Sequence, residues 1–426
     1  MTHDDDTPPG DPLGPLGAIF GQMSSMMGAG NQWDAAAQMA AGIANEGRSE
    51  SNLDPADRIA IENLARVAEL QVTQHSGIDF REPVRVEAMN RTQWAKRFLV
   101  DQRPLIEGLA GSLGEGLAAQ MHQLDDLDDR DLPGIPGLGA MPPEMLRQVM
   151  AMMGPMMLSM MAGSTAGHLA ARAFGHYELP LPRPTREPLS VVLSNVDEFA
   201  ADWSLPPEDI RLWVCLSDTA HHQVLSIPHV RDALTSAVGE YTMAFSTDPE
   251  EIERQGRELG LDEAFEDMGG DMAALQSLAG DPDRLLGVMQ SRRQREIMPR
   301  IQSLVAVVEG WVDHVLDEVG SSLLSEYPRV TEALRRRRVE AGPQTRFVER
   351  LFGLELSQAT FDTGNDFVEG IVARSDAAAL RTLWSAPENL PTHNELTAPG
   401  LWMARVGIEA RDLPMDDLEI PDAPDF

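Results

Sequence analysis

A chain of 426 residues is long enough for two or three domains, or for one large core with irregular extensions, and is not a small stapled module. Apolar residues make up 42% and aromatic residues only 5%, with Ala, Leu and Met carrying most of the apolar mass, a mixture that favours helix over sheet. The net charge of −34, from 68 acidic against 34 basic residues, argues against nucleic-acid binding, and the single Cys215 excludes a disulfide framework or a cysteine zinc finger and fits a reducing cytoplasm.

The amino terminus, Met1-Thr2-His3-Asp4-Asp5-Asp6, has no basic segment followed by an apolar one, so no signal peptide is expected. Residues 1–32 are rich in Gly, Pro, Asp and Met without sustained periodicity and are predicted to be a disordered arm. From Asp34 to about Val72 the pattern is helical: Asp54-Pro55 marks a helix start, and Ile59, Ile61, Leu64, Val67 and Leu70 follow at helical spacing. A further helix is expected over 91–113, where Thr92 precedes Trp94, Phe98 and Leu99.

The run Leu124-Asp125-Asp126-Leu127-Asp128-Asp129 and the Pro/Gly segment through Gly139 form an acidic loop, which lacks the Gly-centred spacing of a calcium loop and reads as solvated. Val149 to Gly167 is rich in Met and approaches the roughly 20 apolar residues that span a bilayer. Pro155, Ser159, Ser164 and Thr165 weaken that idea, so the prediction is no membrane span but a buried helix, or a pair broken at Gly154-Pro155. Gly163 and Gly167 would let another helix approach closely.

A Pro-rich connector, Leu179 to Pro188, marks a boundary between an N-terminal helical part, 33–178, and a second part, 189–406, of one large domain. It leads into Leu189-Ser190-Val191-Val192-Leu193, the clearest strand candidate in the chain. The remainder reads as helical, and an acidic tail, 407–426, is predicted to be disordered.

Pro206-Pro207-Glu208-Asp209 opens a helix, with proline tolerated in the first turn and acids facing the positive end of the dipole, so 210–225 should be helical. Residues 217 and 221 lie one turn apart on one face, the spacing by which two histidines grip one zinc, yet only His221 is a histidine. On residues alone, His221-His222 reads as a structural or surface pair more readily than as a metal site. Downstream, Leu304 to His314 reads as a buried helix carrying Glu309 and Asp313 on one side, either a partly exposed stripe or a carboxylate ligand with a second carboxylate that orients a ligating histidine. Four consecutive arginines, Arg335 to Arg338, point around a helix circumference and are expected to pair with nearby acids or bind the acidic arms.

The stretches Asp209-Ile210-Arg211-Leu212-Trp213-Val214-Cys215-Leu216 and His221 through Val230, with Arg335 to Glu340, Arg346 to Leu351 and Pro387 to Thr392, resemble a family of bacterial zincin-like metallopeptidases, also labelled zinc-dependent metalloproteases. The resemblance runs through most of 33–406 and implies a mainly α, zincin-like fold with minor β content. In that family the helix carries His-Glu-x-x-His around zinc, and a glutamate from a later helix supplies the third ligand. Carried across by position, Ser217 stands at the first ligand, Asp218 at the general base and His221 at the second histidine, with Glu309 as candidate third ligand and Asp313 as its partner. A serine hydroxyl is a poor zinc ligand, and aspartate is one methylene short, which misplaces a base by about 1 Å. The departures imply zinc absent or weakly bound and a catalytically impaired homologue that binds a peptide or partner protein in its cleft. The alternative is an active zinc-dependent peptidase in which His222 or Asp218 replaces the missing ligand.

Overall fold

The computed structural model describes residues 31–50, 52–80, 82–112, 159–184, 187–245 and 290–411, together with Arg254 and Gly287. The arm before residue 31, the acidic loop, the Met-rich segment before residue 159 and the tail beyond residue 411 lie outside them.

The first helical stretch divides in two. Helix α1, Asn31–Ala44, ends in a turn where Glu46 and Gly47 take positive φ, and α2, Pro55–Ser76, begins afresh. Asp54 caps α2 by accepting from the Ala56 N–H at 2.8 Å, and Gly77 closes it in the left-handed conformation. The buried face of α2 is Ile61, Ala65, Ala68 and Val72, while Ile59, Val67 and Leu70 are exposed. Small side chains face inward because α2 lies close against a later helix, and larger ones would hold the two apart.

Strand β1, Val86–Met89, leads into α3, Arg91–Asp101, whose cap is a reciprocal box between Asn90 and Gln93. The chain turns at Gln102 and continues as α4, residues 103–112. Helix α5, residues 159–170, lies against α1 through Gly163 and Gly167: a Cβ on either would meet the backbone oxygens of Ala36 or Ala40 at 2.8–2.9 Å. No helix among the described residues is long and apolar enough to cross a membrane.

Strand β2, Leu189–Val192, is fully buried and pairs in parallel with β1, Val86 opposite Leu189. Helices α6, Leu193–Asp202, and α7, Pro207–Leu225, follow, and α7 opens on its two prolines with Glu208 and Asp209 in the first turn. After α8, Pro228–Thr242, comes α9, Arg292–Leu323, whose 32 residues reach about 48 Å. Then come α10, Tyr327–Val339; α11, Pro343–Leu351; and α12, Gln358–Arg374. Two short 3₁₀ turns and the small helices His393–Leu396 and Pro399–Arg405 complete the described chain, a mainly α architecture with one two-stranded sheet.

Helix α9 is the longest of the described helices. Its apolar stripe packs on α7, α8 and, most extensively, α12. The α9–α12 crossing is backbone on backbone at Gly310 and Gly364: a Cβ on Gly310 would lie 2.2 Å from the Gly364 carbonyl carbon, and one on Gly364 would lie 2.0 Å from the Ala306 oxygen. That crossing fixes the turn of α9 carrying Glu309.

Candidate functional site

The middle of α7 is buried on nearly every side. Ser217, Asp218, Thr219, Ala220 and His221 are all inaccessible, which an amphipathic surface helix would not allow. His221 donates from Nδ1 to the Ser217 carbonyl at 2.8 Å, since a carbonyl oxygen only accepts. This sets the ring orientation and points Nε2 across to α9, where it meets Glu309 Oε1 at 3.2 Å. Burial alone would lower the His221 pKa, but Glu309 and the Ser217 carbonyl outweigh it and raise it. The two sequence-predicted residues from separate helices thus come into contact.

Asp218 faces elsewhere. Its carboxylate accepts the backbone N–H groups of His176 at 2.5 Å and Tyr177 at 3.1 Å, in the turn between α5 and β2. Gly175 is required there, because a Cβ would lie 2.4–2.6 Å from the carboxylate. Burial pushes the Asp218 pKa up to about 6 against these two donors and nearby His221 and Arg183, which pull it down. Tyr177 stacks on the His221 ring, with centroids 5.7 Å apart, and its hydroxyl meets His222 Nδ1 at 3.0 Å. His222 is driven down to about 4 by burial and has no contact with Glu309.

Asp313, one turn along from Glu309, forms a two-pronged pair with Arg338, both contacts 2.9 Å. Its carboxylate is therefore committed to a guanidinium and not to a histidine. Arg337 reaches Glu178 at 2.9 Å and the Arg172 carbonyl at 2.6 Å, and Arg336 pairs with Glu332, so three of the four consecutive arginines bind acids. Burial pushes Glu349, in the same enclosure, up to about 7. Residues 174–178 are marked as part of the site by the structure alone, and Glu349 lies in a stretch that points to the family and not to the site. The dense Phe174-Gly175-His176-Tyr177-Glu178 run just before the Pro-rich connector was the available signal, but a cradle made of main-chain N–H groups leaves no side-chain pattern.

These groups line a partly open cavity of about 90 Å³, among them Ser217, Asp218, His221, Glu309 and Arg338. That volume is the size of a few waters and too small for a peptide segment. The separation of His221 Nε2 and Glu309 Oε1 does not itself identify their chemistry, because two ligands of one tetrahedral zinc also stand about 3.3 Å apart. A catalytic zinc takes three protein ligands, whereas Ser217 offers a hydroxyl, Asp218 is tied to the 175–177 turn, and among the described residues no group of three His, Cys, Asp or Glu side chains converges on a metal position. The described residues here supply His221 and Glu309, two of the three ligands such a zinc takes, and so do not by themselves fit it.

Helical layers around one long central helix, with a motif helix crossing it at a His–Glu contact, define a mainly α zincin-like protein. The chain belongs to the zincin-like metallopeptidase family, whose model matches residues 32–403. It is also similar in fold to a protein of Chloroflexus aurantiacus whose crystal structure is described as that of "a putative hydrolase with a novel fold", at 22% identity and a TM-score of 0.56, covering 89% of this chain and 99% of that one. No curated protein matches the chain.

Proposed function

We propose that this chain is a zincin-like metallopeptidase homologue that has lost metal-assisted hydrolysis and serves as a peptide- or protein-binding module. The observation that carries this reading is the position of Asp218. The residue standing where a general base belongs has its carboxylate buried in the amides of His176 and Tyr177, while Ser217 occupies the first-ligand position. A base must reach the water it activates, and this one is held by the main chain of another segment. With zinc bound weakly or not at all, the His221–Glu309 contact works as a buried ion pair that joins α7 to α9. The single buried cysteine fits a cytoplasmic location.

The test is metal analysis on the full chain purified without added zinc. The expected result is far less than one zinc per chain, rising to one in Ser217→His/Asp218→Glu and falling again when His221→Ala is added. Stoichiometric zinc in the unaltered chain, lost on His221→Ala, overturns the reading in favour of a zinc-dependent peptidase with an altered ligand set.

A further inference from the structure

Beside that cavity lies a surface depression of about 340 Å³, and the two share a wall made of Arg172, Phe174 and Arg337. On the outer side the depression is lined by Phe199 and Trp203 and rimmed by Glu198, Asp202 and Glu340. We infer that this depression is a recognition subsite for a basic side chain, arginine or lysine, of a bound peptide; the inference rests on the binding-module reading above.

Two observations converge on that chemistry. One is the charge left over when the local pairs are assigned. Arg337 and Arg172 both turn to Glu178, at 2.9 and 3.3 Å, and Glu198 pairs with Arg91. Asp202 and Glu340 are exposed and take part in no ion pair among the described residues. Arg172 and Arg337 share the one carboxylate of Glu178, so the pairs leave two carboxylates against one positive charge, a net excess of one negative. The arginines are largely covered and the two carboxylates are exposed, so the charge an incoming side chain meets at the rim is acidic.

The other observation is the aromatic lining. Phe174 and Phe199 meet edge to face with centroids 5.1 Å apart, and Phe199 and Trp203 are tilted at 5.9 Å. The chain's own side chains show what these rings accept. The Arg337 guanidinium lies 3.7 Å from the Phe174 centroid, and that of Arg336 lies 6.0 Å from Trp203. Ring faces with carboxylates at their margin attract a cation by quadrupole and by charge at once, and a long basic side chain can lay its apolar stem along the rings. A neutral apolar side chain would gain the rings but leave the carboxylates unanswered. The net charge of −34 draws basic partners toward the whole surface, and the depression supplies the local selection.

The probe is acetyl-arginine N-methylamide, titrated into the full chain and followed by NMR at the Trp203 indole N–H, which Trp203→Phe assigns. The citrulline amide is the neutral control of nearly equal shape. Arginine should move the Trp203 resonance with a saturable response, citrulline should not, and Asp202→Asn/Glu340→Gln should weaken the arginine response about tenfold. Both substituted side chains are exposed, so the variant is expected to fold. Equal binding of citrulline, an unchanged response in the double variant, or no arginine response at Trp203 overturns the subsite. Selection from a random peptide library on the intact chain separates this failure from failure of the wider reading. Bound peptides without basic residues, indifferent to Asp202→Asn/Glu340→Gln, remove the subsite and leave peptide binding standing. A library that yields no binders removes both.

Discussion

The two walls of the cavity are held in different ways. On the α9 wall, Glu309 and Asp313 sit one turn apart and each meets a side chain from another helix, His221 and Arg338. On the α7 wall, Ser217 presents a hydroxyl, and the Asp218 carboxylate accepts main-chain amides of the 175–177 turn. The acids of α9 therefore tie helix to helix through side chains, while the acid of α7 ties its helix to a turn through the backbone. The difference teaches that one residue type can be committed in two ways within one site, and that a carboxylate held by fixed amides is less free to meet a ligand than one held by a side chain.

The largest test of that comparison removes Glu309. If the pair is structural, Glu309→Ala should destabilise the chain by about 3–5 kcal/mol, because a buried ion pair that loses one member leaves the other unanswered. Replacing both partners by leucine should recover a substantial part of the loss, since the desolvation cost of both charges disappears with them. Chemical denaturation of the two variants measures this, and a cost below about 1 kcal/mol for Glu309→Ala would show that the α9 wall is not holding the helices together.

The next effect concerns how that wall is positioned. Gly310→Ala forces a Cβ into the Gly364 backbone, where no side chain can swing aside, and should cost about 3 kcal/mol, the upper end of ordinary overpacking. It should also shift Glu309 away from His221, raising the accessibility of the imidazole to acylating reagents. A stable variant with an unchanged histidine reaction rate would show that the close crossing does not set the site.

Much of the frame was legible in the sequence, and for identifiable reasons. The prolines and acids at 206–209 announce α7, Asp54-Pro55 announces α2, and β2 stands out as an apolar run. Strand β1 was missed because it is four residues long with Glu87 inside it, and its parallel partner lies about a hundred residues away, beyond any local pattern. The apolar positions of α2 are visible as helical, but not which face is buried: half of the inner face is alanine, and the larger residues at 59, 67 and 70 lie outside. In the site, the placement of Ser217, Asp218, His221 and Glu309 came from family resemblance, whereas the engagement of Asp218 by main-chain amides and of Asp313 by Arg338 depends on tertiary approach alone.

The smallest expected effect sharpens the comparison through pH. Glu349 belongs to the same enclosure but to neither wall, and burial raises its pKa to about 7 from an ordinary value near 4.5. With the folded pKa above the unfolded one, the folded state keeps its proton longer, so this group's contribution to stability is fully present below about pH 4.5 and is lost as pH rises through 7. Glu349→Gln should remove that slope, making the variant gain on the unaltered chain across this window by at most about 3 kcal/mol. His222 works in the opposite sense. Its pKa is lowered to about 4, so its contribution is present above about 6.5 and fades as pH falls toward 4. Relative to the unaltered chain, His222→Gln should therefore tilt stability toward acid and Glu349→Gln toward base. Parallel curves for all three chains from pH 4 to 7 would mean that the enclosure is wetter than its packing implies, and that the carboxylates around His221 are held by solvent as much as by the fold.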